Sequence, residues 1–139
     1  MSAEETRAFL NAGTRTGKLA VVRRDGGAHV VPIWFVVDED GSLVFNTGAD
    51  TVKGRAIRRD PHVSICVDDD APPYAYVRVD DVAEVSEDVD AMLPWSIAIA
   101  RRYMGDAVAE AYGRRNAVTG ELLVRVRPTR VVALAGDAD

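Results

Sequence analysis

A succession of short apolar runs separated by turn signals constrains the fold of this 139-residue chain more than any other feature. Six runs are rich in β-branched residues, which favour strands. They cover residues 16–24, 29–37, 42–47, 62–67, 74–86 and 121–134. Glycines in Asp25-Gly26-Gly27 and before Ser42 supply the positive φ that tight hairpin turns require. Six strands joined largely by hairpins predict a mainly β fold, a small antiparallel barrel with flanking helices.

Three irregularities interrupt these runs. Residues 29–37 are apolar on both faces, so we expect that strand to be covered on both sides. Pro32 within it cannot donate to a ladder, which indicates a sheet edge, a bulge or a ligand wall. The fifth run loses its alternation at Asp80-Asp81, which predicts a β-bulge. Pro128 interrupts the last run.

Helices are predicted at four places. Ser2 followed by Glu5 is a capping box that begins a helix ending near Asn11. A short helix follows the turn after residue 47, and two later helices cover residues 90–104 and 106 to about 113. The regular strand–helix alternation of a dinucleotide-binding domain is missing, and so is its Gly-x-Gly-x-x-Gly motif. The last five residues, 135–139, are expected to be loose.

Charge and composition exclude several classes of function. A net charge of −5 disfavours binding to nucleic acid or to an anionic membrane surface. No apolar run reaches the roughly 20 residues that span a membrane, and the N-terminus has no secretory h-region. The single cysteine, Cys66, fits a reducing cytoplasm. The length predicts one domain, residues 1–139.

The segment from Phe45 to Pro61 carries the clearest functional signal. It predicts a strand end, a turn of small residues and a short helix with Lys53 in its first turn. Lys53 and Lys18 are the only lysines among 17 basic side chains. Backbone N–H groups at a helix N-terminus are unpaired and, with the helix dipole, favour an anion. The segment therefore indicates a phosphate or carboxylate site, with a solvated basic helix as the alternative.

A helical wheel distributes the side chains of this short helix. Its apolar arc contains Val52, and Lys53 lies inside that arc, where an ammonium group needs water or a counter-ion. The other members of the arc are Ala49, Ala56 and Ile57. Two arginines flank one edge of the arc, Arg55 and Arg59, while Arg58 points to solvent.

Other chemistry-bearing residues allow two interpretations each. Tyr74, Tyr76 and Arg78 alternate along a strand, so they share a face. That face could stack on a planar ring and bind an acid group, or it could be an ordinary dimer surface. Trp34, beside Pro32 and Ile33, could wall a ring system or belong to the core. The two histidines and the aspartates of residues 68–70 lack the spacing of metal ligands, so no metal is predicted.

These segments, in this order, resemble the flavin-reductase-like split β-barrel family, the pyridoxamine-5′-phosphate-oxidase-like group. More narrowly, the chain is similar to actinobacterial members that use the deazaflavin coenzyme F420. The resemblance covers residues 9–134 and is carried by residues 19–22, 29–35, 51–64, 76–79 and 83–85. It implies a six-stranded antiparallel split barrel that forms a homodimer, with two cofactor sites at the subunit interface.

The resemblance also implies roles for individual residues. Lys53 and Arg55 would hold the cofactor phosphate, assisted by the turn at Asn46 and Thr47 and by the Thr51 hydroxyl. The strand at Pro32, Ile33 and Trp34 would lie along the ring. The partner subunit would close the pocket with its copies of Tyr74, Tyr76 and Arg78. Ala56 departs from the relatives, which often carry Asn there, so no amide contact is expected at that position.

The activity implied is hydride transfer from reduced F420 to a conjugated small molecule. FMN is the alternative cofactor, because its phosphate suits the same site; Arg55 and Arg59 favour the acidic tail of F420 slightly. An FMN-dependent oxidase or reductase and a non-catalytic F420-binding or storage protein are the alternative functions. Tyr76 is a candidate proton donor, and bulk water is the equal alternative. The sequence does not indicate the substrate.

Overall fold

The computed structural model of the chain describes residues 1–136, which form four helices and eight strands. The elements in chain order are α1 (Ala3–Asn11), β1 (Gly17–Val22), β2 (Ala28–Ile33), β3 (Val36–Val37), β4 (Leu43–Gly48), α2 (Val52–Arg59), β5 (His62–Asp68), β6 (Tyr76–Ser86), α3 (Val89–Met104), α4 (Asp106–Asn116), β7 (Glu121–Val126) and β8 (Val131–Leu134). Of the tail predicted to be loose, residues 137–139 lie outside the described residues. No helix within residues 1–136 is long and apolar enough to cross a membrane.

All strand pairings are antiparallel, and the strands follow the order β2-β1-β5-β6-β7-β4-β3. The long strand β6 joins the two halves of this sheet. Its first half pairs with β5 on one side and β8 on the other, and its last four residues pair with β7. The curled sheet encloses a core whose largest fully buried side chains are Phe35, Phe45, Leu19, Leu43, Ile57 and Ile65. The predicted mainly β split barrel with flanking helices is confirmed.

The number of strands corrects the prediction of six, because two of the predicted strands are each divided. The second run divides at Trp34-Phe35, where the backbone bonds to helix α3 instead of a strand. The Phe35 N–H donates to the Tyr103 hydroxyl at 3.2 Å, and the Phe35 carbonyl accepts from Arg102 at 2.8 Å. The last run divides around Pro128, and β8 then pairs with β6.

The predicted bulge at Asp80-Asp81 is wrong. The register between β5 and β6 is continuous from His62↔Val82 to Asp68↔Tyr76. The alternation slips because Asp81 occupies an inward position at the rim of the sheet. There its carboxylate accepts a hydrogen bond from the Thr129 hydroxyl, so a polar residue is accommodated without an extra residue in the strand.

Strand β2 lies at the edge of the sheet, one of the three interpretations that Pro32 allowed, and its outer face is uncovered in this chain. Val30 is 60% exposed. Ala20, which lies opposite Val30 on β1, belongs to the same outer face. No helix of the described part of the chain covers that face, because Ala56 and Ile57 of α2 join the core on the inner side. The expectation that residues 29–37 are covered on both sides is therefore wrong for the isolated chain.

The helix signals near the N-terminus are confirmed. Ser2 accepts from the Glu5 N–H, and the Glu5 carboxylate accepts from the Ser2 N–H, which completes the capping box of α1. Helix α4 extends three residues beyond the predicted end near Gly113, to Asn116. Gly113 lets α4 lie against α3, since a Cβ there would lie 2.7 Å from the Cα of Ile97.

Candidate functional site

A cleft of about 380 Å³ opens where the end of β4 meets the beginning of α2. Its size falls within the range of about 300–1,000 Å³ that is usual for small-molecule sites. The side chains and backbone that line it come from β2, β4, α2, α3, α4 and β7. They are Pro32, Ile33, Trp34, Asn46, Thr47, Gly48, Lys53, Ser96, Ile99, Asn116 and Glu121. Six of the residues predicted to bind a cofactor are thus brought together here.

Hydrogen bonds within the turn fix the beginning of α2. Thr51 is the N-cap residue, and its hydroxyl accepts from the Gly54 N–H at 3.1 Å. The same hydroxyl donates to the Gly48 carbonyl at 2.8 Å and lies 3.1 Å from the Thr47 hydroxyl. Both threonine hydroxyl protons are therefore used inside the protein. What the turn offers a ligand is the free backbone N–H groups of the first helical turn.

Gly54 allows the helix to approach the strand closely. A Cβ at Gly54 would lie 2.1 Å from the Gly48 carbonyl oxygen, a distance that no side chain tolerates. The absence of that atom lets α2 lie against the end of β4. This approach places Lys53, one residue earlier, in the wall of the cleft.

Lys53 is the cationic side chain of this cleft, and it is half-buried. Within residues 1–136 it forms no ion pair, whereas Lys18 is paired with Asp68 at 2.8 Å. A half-buried ammonium without a counter-ion, beside the N-terminus of a helix, favours an anionic ligand. The position of Lys53 on the packed side of α2 agrees with the helical wheel.

Glu121 begins β7 and lines the same cleft. Its Oε2 atom lies 3.2 Å from the point where a Cβ on Gly48 would be, so the carboxylate faces the turn before α2. Burial raises the pKa of the Glu121 carboxyl above its ordinary value, and the charge of Lys53 acts in the opposite direction. The cleft therefore contains one cation and one carboxyl group that resists ionisation.

Asn46 contributes an unused donor to the cleft wall. Its Oδ1 atom accepts from the Ser96 hydroxyl at 2.8 Å, and its Nδ2 atom is buried without a hydrogen-bond partner among the described residues. Buried donors are nearly always paired in proteins. An orphaned amide, a free lysine and a helix N-terminus together fit an anionic cofactor rich in acceptor atoms.

Trp34 is 45% exposed, so the interpretation of this residue as core is wrong. Its ring stacks on Tyr103 of α3, with ring centroids 5.0 Å apart and planes 3° from parallel. Tyr103 is itself fixed, because its hydroxyl donates to the Arg15 carbonyl at 2.8 Å and accepts from Phe35 N–H. Trp34 thus forms a supported aromatic wall beside Pro32.

Arg55 and Arg59 lie outside this cleft. They line a separate depression of about 230 Å³ together with Arg23 and Arg24. Arg59 donates to the Val22 carbonyl at 2.9 Å. Within one chain, the structure does not bring these two arginines together with Lys53.

The helical wheel placed Val52 in the packed arc of α2, and this is wrong. Val52 is 51% exposed and lines the depression that contains Arg55. Gly54, Ala56 and Ile57 instead make the buried face of the helix. The buried face is rotated towards Gly54, because the glycine makes the closest approach to the strand.

Tyr74, Tyr76 and Arg78 line a third depression, on the outer face of the sheet, together with Cys66. The prediction that all three alternate along one strand is wrong for Tyr74. Tyr74 precedes β6, has a φ of 62°, and its N–H closes a turn with the Ala71 carbonyl at 2.9 Å. Arg78 is paired with Asp80 at 2.9 Å. Burial raises the pKa of the Cys66 thiol, which disfavours its use as a nucleophile.

Five side chains that build this region were not predicted from the sequence. Ser96, Ile99 and Asn116 line the cleft from α3 and α4, and Tyr103 supports Trp34. Glu121 was also missed as a site residue. A glutamate directly after Gly120, before the apolar run Leu122 to Val124, was the available signal for it.

Fold and cleft together define a split β-barrel with a cleft that contains an unpaired lysine at the N-terminus of a short helix. The family model described as pyridoxamine 5′-phosphate oxidase matches residues 2–135. The chain therefore belongs to the pyridoxamine 5′-phosphate oxidase-like family, whose members are flavin- or F420-related oxidoreductases. A search among curated proteins finds no match.

Solved structures agree with this assignment. A conserved hypothetical protein from Mycobacterium tuberculosis is 29% identical, with a TM-score of 0.82 over 96% of this chain and 84% of its own. A protein described as an F420 reductase is 28% identical, with a TM-score of 0.71 over 90% of this chain and 94% of its own. A heme-binding protein from Mycobacterium smegmatis shares the fold at 23% identity and a TM-score of 0.74; the match covers all of this chain and 56% of that protein.

Proposed function

We propose that this chain is a single-domain F420-dependent oxidoreductase that transfers a hydride from reduced F420 to a conjugated small molecule in the cytoplasm. The observation that carries the proposal is the half-buried, unpaired Lys53 at the N-terminus of α2, in a cleft with an aromatic wall. The structural similarity to a protein described as an F420 reductase supports the choice of cofactor.

Each part of the cleft has a role in this proposal. Lys53 and the free N–H groups of the first turn of α2 bind the phosphate of the cofactor. The Nδ2 atom of Asn46 donates to an acceptor of the ligand, and Pro32 and Trp34 lie along the ring. The bound deazaflavin supplies the hydride, and the protein supplies position and electrostatics.

We further propose that the protein works as a homodimer. Its outer sheet face is apolar at the β2 edge, with Val30 and Val22 exposed. A second copy on this face would bury those side chains and could bring its Tyr74, Tyr76 and Arg78 to the cleft. Tyr76 lies in a different depression from Lys53, so it could donate a proton to the substrate only from the partner subunit.

FMN is the second candidate cofactor, and the match to the pyridoxamine 5′-phosphate oxidase model favours it. The phosphate of FMN would occupy the same position at Lys53. A protein of this family that uses FMN would retain the same cleft and aromatic wall.

Binding measurements distinguish these possibilities. The purified protein is titrated with F420 and with FMN, and bound cofactor is followed by fluorescence or calorimetry. Lys53→Ala is expected to weaken binding of the preferred cofactor by about 1–3 kcal/mol, the scale of a charge-assisted hydrogen bond. The matched control is Arg58→Ala, because Arg58 lies on the same helix but pairs with Glu87 outside the cleft.

Oxidation of reduced F420 is then tested with enones, quinones and tetrapyrroles. Turnover of any of them supports the reductase, whereas F420 binding without turnover indicates a binding or storage protein. Binding of FMN alone, in yellow protein as purified, would contradict the F420 proposal.

A further inference from the structure

We propose that Glu121 sets the ligand charge that the cleft accepts, so that a monoanionic phosphodiester binds better than a dianionic phosphomonoester. This inference rests on the proposed function only in placing the phosphate of a ligand beside Lys53. It concerns the chemical form of that phosphate, which neither the fold nor the family decides.

The charged groups of the cleft are few and can be named. Lys53 faces it from α2, and Glu121 faces it from the beginning of β7. Within residues 1–136, the other elements that line the cleft contribute no titratable group to it. They contribute only the neutral residues Asn46, Thr47 and Gly48 from β4, Ser96 and Ile99 from α3, Asn116 from α4, and Pro32, Ile33 and Trp34 from β2 and the residue after it.

The carboxyl group lies close to the place where an anion would bind. Glu121 pairs in register with Gly48, and its Oε2 atom lies 3.2 Å from the position of a Cβ on that glycine. The Gly48 carbonyl in turn accepts the Thr51 hydroxyl at the beginning of α2. Among the residues that line the cleft, a phosphate at the first turn of this helix therefore has Lys53 and Glu121 as its charged neighbours.

The charge balance of the cleft follows from these two side chains. With Glu121 ionised, the side-chain charges of Lys53 and Glu121 cancel. A second negative charge on the ligand then gains no net attraction but still loses its hydration. A phosphodiester keeps a charge of −1, whereas a phosphomonoester carries about −1.5 to −2 near pH 7. The cleft therefore favours the diester.

Burial already raises the pKa of Glu121, and a bound phosphate acts in the same direction. Ligand binding is thus coupled to proton uptake at this carboxyl group. The protonated carboxyl can donate a hydrogen bond to a phosphate oxygen, so it becomes a partner of the ligand instead of a competitor. The affinity for a diester should rise as the pH falls, although the charge of the diester itself does not change.

The distinction bears directly on the two candidate cofactors. The phosphate of FMN is a monoester, and the phosphate of F420 is a diester that links the deazaflavin to its acidic tail. Glu121 would act as a specificity-determining residue that favours the phosphodiester of F420 over the phosphomonoester of FMN. Glu121 does not discriminate between the ring systems of the two cofactors.

Matched ligand pairs isolate the effect of phosphate charge from that of the ring. The first pair is the deazaflavin 5′-phosphate and its methyl ester, and the second pair is FMN and its methyl ester. Each is titrated at pH 8 against the wild-type protein, Glu121→Gln and Glu110→Gln by fluorescence. Glu110 is the matched control, because it is exposed on α4 and pairs with Arg114 outside the cleft.

The wild-type protein and Glu110→Gln should bind the methyl ester about tenfold more tightly than the monoester, the scale of one unit-charge interaction in a half-buried site. In Glu121→Gln this preference should disappear, mainly through tighter binding of the monoester. Between pH 8 and pH 5, affinity for the methyl ester should rise in the wild type and stay constant in Glu121→Gln.

Two results would overturn the inference: a wild-type protein without the preference, or a Glu121→Gln variant that keeps it. Circular dichroism verifies that the variant is folded, and Glu121→Asp, which retains the charge, should keep the preference. If only the flavin pair binds and the preference behaves as expected, the F420 proposal fails and the inference about Glu121 stands. If neither pair binds, both fail.

Discussion

At the scale of single residues, Gly54 determines whether α2 can lie against β4 and form the candidate anion site. Any side chain there would collide with the Gly48 carbonyl, which is backbone and cannot rotate away. Gly54→Ala is expected to lower the free energy of unfolding by about 2–3 kcal/mol, since α2 must move off β4. Urea denaturation measures the change. Gly136→Ala, at a position with open space around it, is the control and should leave stability unchanged.

The raised pKa of Glu121 predicts that stability depends on pH. Its pKa is raised in the folded protein above the ordinary value of 4.5, so the folded state holds this proton more tightly than the unfolded chain. Stability contributed by this group is therefore present below pH 4.5 and is lost as the pH rises through the raised pKa. When unfolding is measured from pH 4 to pH 8, the free energy of unfolding of Glu121→Gln should increase relative to that of the wild type as the pH rises. A constant difference would contradict this.

At the scale of elements, Arg102 connects α3 to two other parts of the fold. Its guanidinium donates to the carbonyls of Leu10 and Gly13, at the end of α1, and to Phe35 between β2 and β3. Arg102→Met is expected to lower the free energy of unfolding by about 2–4 kcal/mol, because partly buried carbonyls lose their donors. The control is Arg101→Met, which removes an exposed pair with Asp106. Equal losses in the two variants would contradict the role of Arg102.

The range of the contacts along the chain explains which elements could be predicted from the sequence. Strand positions, the capping box and the helix after Thr51 follow from local periodicity and local hydrogen bonds, and the structure contains them. The break at Trp34-Phe35 depends on Arg102 and Tyr103, which lie far along the chain. No local pattern contains that information.

The residues of the candidate site also fall into two groups, those in local segments that the sequence indicated and those brought in by packing between distant elements. The wall at residues 32–34, the turn at Asn46 and the lysine of α2 belong to short segments that the sequence singled out, and all of them line the cleft. Glu121 and Ser96 reach it only through the pairing of β7 with β4 and the packing of α3. Arg55 follows Lys53 by two residues and therefore lies on another side of the helix. The family resemblance placed Arg55 at the phosphate, and helical geometry separates it from Lys53 within one chain.

At the scale of the whole molecule, one fold accommodates several ligands, since the structural neighbours include proteins described as an F420 reductase and a heme-binding protein. Ligand choice must therefore come from the cleft and from what covers the outer sheet face. That face carries exposed valines at the β2 edge and paired charges further in, such as Lys18 with Asp68. An apolar patch beside a polar region is typical of protein–protein interfaces.

The homodimer is tested by placing a charge in that patch. Val30→Glu puts a carboxylate on the outer face of β2, where Val30 is 60% exposed, so folding of the single chain should be unaffected. Analytical ultracentrifugation should show a dimer for the wild type and a monomer for Val30→Glu, because burying an unpaired carboxylate in an interface is unfavourable. Val118→Glu is the control, since Val118 is 45% exposed but lies in the loop between α4 and β7, not on the outer face of β2. If the partner completes the cleft, the monomeric variant should also bind cofactor more weakly, although Lys53 is unchanged. A wild-type monomer at micromolar concentration would contradict the dimer, and a monomeric variant with full affinity would confine the cofactor site to one chain.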